Sequence, residues 1–456
     1  AEGYIYSIPK SGYYVSDLSG IPVHQTEYTS ETYEAEEQGT DSRTAKAGDK
    51  VLLTGGENAF IADFTSNQTE HAAFPFSIWN KTMRAVMNDY QEEMMINPPC
   101  GGVMELRKSI SSYLKEFCAM YVRPEQIIIG AGTEYLYSIL IQLLGRNVCY
   151  GVENPGYPKI AKIYRSMGVK YEYIDLDEEG TSAKKLEEKK VDIMHISPSH
   201  HFPTGMVMPI SKRYELLGWV TREKERYIIE DDYDSELRLA GKPIPSLQSI
   251  DVSGKVIYIN TFAKTLCSTV RISYMVLPEA LAEKYYRELS FNTFTKSLAA
   301  TIRISYMVLP LPLLERFKST LGFYACTVSN FEQYTLAAFM NAGAFEKHIN
   351  RLRNYYQHKR DLILSTFLRE PLGKYITISE EDSGVHFLMH VNTSMSEQEF
   401  LLKTRAKGIR LATLSSFYNA EQKDSRYENT YVMNYSFVNC DRLEYVAQTL
   451  YKIIHP

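Results

Sequence analysis

Short apolar runs alternate with helix-length amphipathic stretches through the middle of this chain. The runs IIIG (127–130), NVCYGVEN (147–154), VDIMHI (191–196), RYIIED (226–231) and KVIYIN (255–260) each suit a strand buried on both faces. That alternation predicts an α/β fold with a largely parallel sheet. Leu136, Ile139, Leu140 and Leu143 recur at the helical period, as do Tyr214, Leu217 and Val220, and both sets are expected to be core stripes. After about residue 345 the pattern changes to a Lys/Arg-rich helix, the alternating runs VHFLMHV and TYVMNYSF, and a last helix. This predicts a smaller α+β domain over 346–456, behind a large domain over 59–345.

Ahead of this body, YIYSIPKSGYYV holds two short aromatic or β-branched runs around Pro9, Lys10, Ser11 and Gly12, which reads as a hairpin. Residues 19–58 are acidic, Thr-rich and poor in aliphatics, so they cannot bury a core and read as a linker. The segment NTFAKTLCSTVRISYMVLP (260–278) recurs as NTFTKSLAATIRISYMVLP (292–310), with 14 of 19 positions identical at an offset of 32. Two copies are too few for a solenoid, so this reads as a local tandem duplication.

Composition narrows the class. With 456 residues, 44% hydrophobic and 23% charged, the chain is globular and multidomain rather than disordered or collagen-like. Fifty basic against fifty-five acidic residues give a net charge of -5, which leaves no global attraction to a phosphate backbone. Six cysteines without a CxxC pair suggest reduced thiols, and no apolar run reaches the roughly 18 residues of a membrane span, so a cytoplasmic setting is expected. The chain opens at Ala1 without a methionine, which suggests a fragment.

The candidate chemistry lies at strand ends. GAGTEYLYS follows the run IIIG and opens a helix, where free N–H groups, the helix dipole and the Thr133 hydroxyl suit a phosphate. PGYPK (155–159), SPSHHFPTG (197–205), EDDYDSE (230–236) and TFAK (261–264) also follow strands, on the carboxyl edge where open α/β sheets bind ligands. Taken singly, each has an ordinary alternative: a strand-end Asp is often a helix cap, a Tyr after Pro-Gly surface packing, and a loop lysine a solvated charge.

Jointly, FPFSIWNK, GAGTEYL, VENPGYPK, SPSHHFPTGMVMP, IIEDDYDSEL and TFAKTL followed by RISYMVLP resemble the fold type I, pyridoxal-phosphate (PLP) aminotransferases. More closely, they resemble the aminotransferase-like domain of MocR/GntR-type transcriptional regulators, over about residues 60–456. The resemblance implies pyridoxal 5'-phosphate on Lys264 as a Schiff base, with Asp231 against the ring nitrogen and Tyr233 donating to the ring hydroxyl oxygen. It implies Tyr157 on the ring face and Gly132, Thr133, Thr261 and Arg271 around the phosphate. Lys296 in the second copy, with Thr293 and Arg303, is the competing assignment for the cofactor lysine. Lys264 is preferred because it follows the apolar run KVIYIN and lies 33 residues after Asp231.

Two departures bear on function. Phe202 stands before Pro203-Thr204-Gly205 where aminotransferases usually carry Asn, with His200 or His201 able to compensate, and TYVMNYSF offers Val432 or Met433 where dicarboxylate aminotransferases carry a carboxylate-gripping Arg. Lys159 could supply a cation instead, or lie in solvent. The N-terminal hairpin, with Lys10 as its basic residue, resembles the wing of a GntR-type winged helix (1–18). The expectation is therefore a homodimeric effector-sensing domain that forms aldimines with a small amino compound. DNA contact would come only through a parent with an intact winged helix, no membrane is involved, and transamination is slow or absent. A free-standing PLP aminotransferase is the alternative.

Overall fold

The computed structural model describes residues 60–456 except 67, 71–72, 100, 240–243, 267–271, 277–305, 309–325, 383, 420–426 and 456, together with two strands near the N-terminus. Those strands, Ile5–Ile8 and Gly12–Val15, pair antiparallel with Ile5 opposite Val15. They belong to a unit spanning Ala1–Glu57, separate from the Asn58–Pro456 body. The expected linker, Arg271 and the second-copy residues Thr293, Lys296 and Arg303 lie outside the described residues.

The body is built on an eight-stranded sheet in the order Tyr306–Val308, Ile127–Ala131, Ile272–Val276, Val256–Thr261, Tyr227–Asp232, Ile193–Ile196, Cys149–Asn154, Lys170–Asp175. The last five strands of that order run parallel, and Ile272–Val276 is antiparallel to both of its long neighbours. All five apolar runs read from the sequence are strands here, and Lys170–Asp175, a less buried edge strand, was hidden by its mixed pattern. Both faces are covered, and the strands show it: Ile229 packs with Leu136, Leu140 and Leu143 on one side, while its neighbour Ile228 packs with Leu216, Trp219 and Val220 on the other. This two-sided burial is why these strands read as continuous apolar runs.

The helix Ile210–Val220 corrects one expected stripe. It buries Leu216, Trp219 and Val220 and turns Tyr214 outward, 58% exposed. Arg213 is the cause: it is fully buried and donates to the carbonyl oxygens of Met208, Pro198 and Pro245, which fixes the helix's rotation about its axis. The expected stripe Leu136, Ile139, Leu140 and Leu143 is buried throughout.

The long helix Ala344–Phe367 leads to a four-stranded antiparallel sheet, Ile376–Ser379, His386–Val391, Thr430–Asn434 and Ala412–Thr413 in that order, packed on the helices Glu397–Ala406 and Leu443–Ile454. No helix among the described residues is long and apolar enough to cross a membrane. Cys118, Cys149, Cys326 and Cys440 are free thiols.

Candidate active site

The sheet gathers the sequence-predicted residues along one edge. Ile272–Val276 lies between the other two strands of the glycine-turn side, so that Ile272 pairs with Ala131 and Ser273 with Thr261. This register brings the Gly132–Thr133 turn and Thr261 to either flank of the start of Ile272–Val276. Gly132 caps the helix Thr133–Leu144 with φ 91°, a conformation that favours glycine. A side chain at Gly130 would place Cβ 2.5 Å from Tyr135, so this turn stays bare backbone.

Asp231 and Asp232 end the buried strand Tyr227–Asp232, and the pleat sends them to opposite faces. Asp232 accepts from Tyr258 Oη at 2.7 Å and Ser235 Oγ at 2.8 Å, and burial pushes its carboxyl up to about 6. On the other face, Oδ2 of Asp231 accepts from Tyr137 Oη at 2.5 Å and lies 3.7 Å from His195 Nε2. Its second oxygen, Oδ1, is buried and has no hydrogen-bond partner among the described residues. A buried carboxylate oxygen left unsatisfied costs free energy on the order of 1–3 kcal/mol or more, so it marks a place for a donor. Tyr137 and His195, which orient this carboxylate, escaped the sequence reading, although His195 is the one polar side chain in the core of VDIMHI.

Tyr233 and Asp234 follow. Nδ1 of His200 lies 2.9 Å from both oxygens of Asp234 and 3.2 Å from Tyr233 Oη. The His200 ring stacks on His386, from the first position of the strand His386–Val391, with centroids 4.5 Å apart. Gly384 makes that approach possible, because a Cβ there would fall 2.3 Å from His200 and 2.5 Å from Asp234. Lys264 lies in the turn after Val256–Thr261, where desolvation lowers its ammonium pKa against the opposing field of Asp234. Desolvation of this kind favours the uncharged amine, the form that acts as a nucleophile.

Tyr157 caps the helix Pro158–Ser166 and is 45% exposed, its ring edge-on to Phe202 at 6.0 Å. Phe202 also meets Phe417 at 5.1 Å and His386 at 5.4 Å. Beneath them a cavity of about 90 Å³ is lined by Glu153, Tyr157, His195, Ser197 and Phe202 among others. Burial pushes the Glu153 carboxyl up to about 8, and His201, whose Nε2 lies 3.4 Å from it, is pushed down to about 3 by burial and by His200. His201 bonds Thr204 Oγ1 at 2.7 Å and so serves its own loop.

The alternatives at the C-terminal strand separate by face. Met433 enters the core of the small sheet, whereas Val432 packs with Leu388 and Leu414 beside Phe202 and Phe417. Val432 is thus the residue on the cleft side, and it is apolar. Lys159 forms an ion pair with Glu134 in the first turn of the helix Thr133–Leu144.

The model of the aminotransferase class I and II family matches residues 61–426. The helix-turn-helix transcriptional regulator YdeL of Bacillus subtilis is 34% identical over 418 residues, which cover 92% of this chain and 79% of that protein. MocR, a probable rhizopine catabolism regulatory protein of Rhizobium meliloti, is 27% identical over 354 residues, 77% of this chain and 65% of that one. Among solved structures, the α-aminoadipate aminotransferase LysN of Thermus thermophilus, complexed with N-(5'-phosphopyridoxyl)-L-leucine, superposes with a TM-score of 0.68 at 19% identity, covering 87% of this chain and 92% of that one. The cofactor of this fold is pyridoxal 5'-phosphate, and the unpartnered Asp231 Oδ1 fits the protonated nitrogen of its ring. The chain belongs to the aminotransferase class I and II family and, within it, to the MocR/GntR-type transcriptional regulators.

Proposed function

We propose that this chain is the effector-sensing part of a bacterial transcription regulator, in which pyridoxal 5'-phosphate held by Lys264 captures a small amino compound. The observation that carries the reading is Asp231: a carboxylate fixed by Tyr137, with one buried oxygen that has no partner among the described residues, on the sheet edge that also presents Lys264. The cofactor supplies an electrophilic carbon and an electron-withdrawing ring when bound. Asp231 keeps the ring nitrogen protonated, Tyr233 donates to the ring hydroxyl oxygen, Tyr157 covers a ring face, and Gly132, Thr133, Thr261 and Arg271 hold the phosphate. Lys264 provides the amine.

Capture without fast turnover follows from what faces the cleft. Proton removal from the bound compound requires its scissile bond to be held in one orientation, and a bidentate carboxylate clamp does this best. Val432 offers no hydrogen bond, and Lys159 is engaged by Glu134. A ligand held this way suits a sensor whose output is a shift between conformations. The hairpin Ile5–Ile8/Gly12–Val15 is read as the wing of the regulator's winged helix, the protein as a cytoplasmic homodimer, and DNA recognition as a property of the full regulator with its winged helix intact.

The test uses the full chain loaded with cofactor. Borohydride reduction followed by peptide mapping is expected to place the label on Lys264; a label on Lys296 overturns that assignment. A panel of L- and D-amino acids with excess 2-oxo acid is expected to change the visible spectrum without sustained transamination. Turnover of roughly 1 per second or faster would make the chain an aminotransferase instead.

A further inference from the structure

We propose that His200, anchored by Asp234, is a positioning residue that fixes the Tyr233 hydroxyl as a hydrogen-bond donor toward the ring hydroxyl oxygen of the cofactor. In doing so it takes over the charge-stabilising part of the asparagine that Phe202 displaces. This rests on the reading above, that pyridoxal 5'-phosphate sits on Lys264.

The argument begins with proton direction. Asp234, beside Lys264, accepts through both oxygens from His200 Nδ1 at 2.9 Å, so Nδ1 carries a hydrogen. That nitrogen also lies 3.2 Å from Tyr233 Oη. An Nδ1 that bears hydrogen cannot accept from the phenol, so it meets the lone pairs of Oη, and the Tyr233 hydrogen is directed elsewhere. His200 and Asp234 are each at least 95% buried, so bulk water does not compete for these bonds. Phe202 meanwhile packs among Tyr157, Phe417 and His386 and donates nothing.

The imidazole is also held from the second domain. His386 stacks on it, and Gly384 leaves no space for the ring to swing away. The charged and titratable groups that face it are Asp234 and Tyr233 from its own side of the cleft, His201 in its own loop, and Glu380 and His386 from the small domain. Burial holds His201 and His386 neutral at ordinary pH. Among the described residues Asp234 is thus the carboxylate in hydrogen-bond contact with His200, and the orientation of the imidazole is set by that pair.

The consequence is spectroscopic. Bound pyridoxal 5'-phosphate would supply a visible band that reports protonation at its ring oxygen and the Lys264 nitrogen, and a donor to that oxygen from Tyr233 would favour the oxygen's anionic form. Removing the donor tightens the hold on the proton and raises the pH midpoint of the visible band.

The experiment is a spectrophotometric pH titration of the cofactor-loaded full chain. His200→Phe is expected to raise the midpoint by about one unit, the size of one hydrogen bond. His200→Leu covers the case in which phenylalanine disrupts the stack, and the same rise is expected. His200→Asn, whose amide nitrogen can stand where Nδ1 stood, is expected to return most of the shift. In a Tyr233→Phe background, His200→Phe is expected to add nothing, because His200 acts through that hydroxyl. An unchanged midpoint in His200→Phe or His200→Leu overturns the proposal, as does a full additional shift in the Tyr233→Phe background. Absence of a visible band in the unsubstituted chain would instead overturn the assignment of the cofactor to Lys264.

Discussion

At the scale of single residues, Asp231 and Asp232 show how adjacent identical side chains acquire different chemistry. The strand pleat points one toward the cleft and the other to the opposite face, where two hydroxyls occupy Asp232. Asp231→Ala is therefore expected to weaken cofactor binding about 10- to 100-fold, the equivalent of a charge-assisted hydrogen bond of about 1.5–3 kcal/mol. Asp231→Asn should behave similarly despite keeping a partner for Tyr137, because an amide does not favour the protonated ring nitrogen. Titrating each variant with pyridoxal 5'-phosphate by absorbance measures this. Unchanged affinity in both would remove Asp231 from the role and turn attention to Asp234. The sequence order alone put Asp231 at the end of an apolar run, and it lies one residue before the end of the strand Tyr227–Asp232, but that order could not show its support, since Tyr137 and His195 come from a helix and a strand distant along the chain.

At the scale of elements, the duplication meets the sheet in an informative way. Tyr274 of the first copy and Tyr306 of the second both pair with Ile129, so the two copies use the same register on the strand Ile127–Ala131. The first copy forms a five-residue strand inserted between two others, while the second forms three residues at the sheet margin. An inserted strand bonds along both edges and a marginal one along fewer, so the first copy contributes more to the sheet. Deleting residues 279–310, which joins Pro278 to Leu311 as Pro310 is joined now, is expected to leave cooperative unfolding and cofactor loading intact. A chain that aggregates or loses its visible band on deletion would show that the second copy is the structural one. The strands were legible from the sequence because two-sided burial makes them uniformly apolar. The rotation of Ile210–Val220 was not, because it is set by Arg213 reaching three carbonyl groups that no local pattern reveals.

At the scale of the whole molecule, buried ionisable groups give stability a pH dependence whose direction can be worked out. Burial raises the carboxyls of Glu153 and Glu236 to about 8 and those of Glu230 and Glu332 to about 7. Unfolded, these groups lose their protons near pH 4.5, while the folded chain keeps them until pH 7–8, so folding binds protons in that interval and stability falls as pH rises through it. Three buried histidines act oppositely: His201 and His348 are lowered to about 3 and about 4, and His386 is lowered as well, so their unfolded forms take up protons below pH 6.5 and stability falls on acidification there. Between pH 4.5 and 6.5 the two sets oppose each other. Between about pH 6.5 and 8 the histidines are neutral in both states and the four glutamates act. The melting temperature of the cofactor-free chain is therefore expected to fall between pH 6.5 and 8. Calorimetry across that range at fixed ionic strength measures it, and Glu153→Gln, which removes one of the four, should reduce the slope. A melting temperature that rises over this interval would mean that these carboxylates are ionised in the folded chain, with solvent or cations reaching sites that the structure shows as buried.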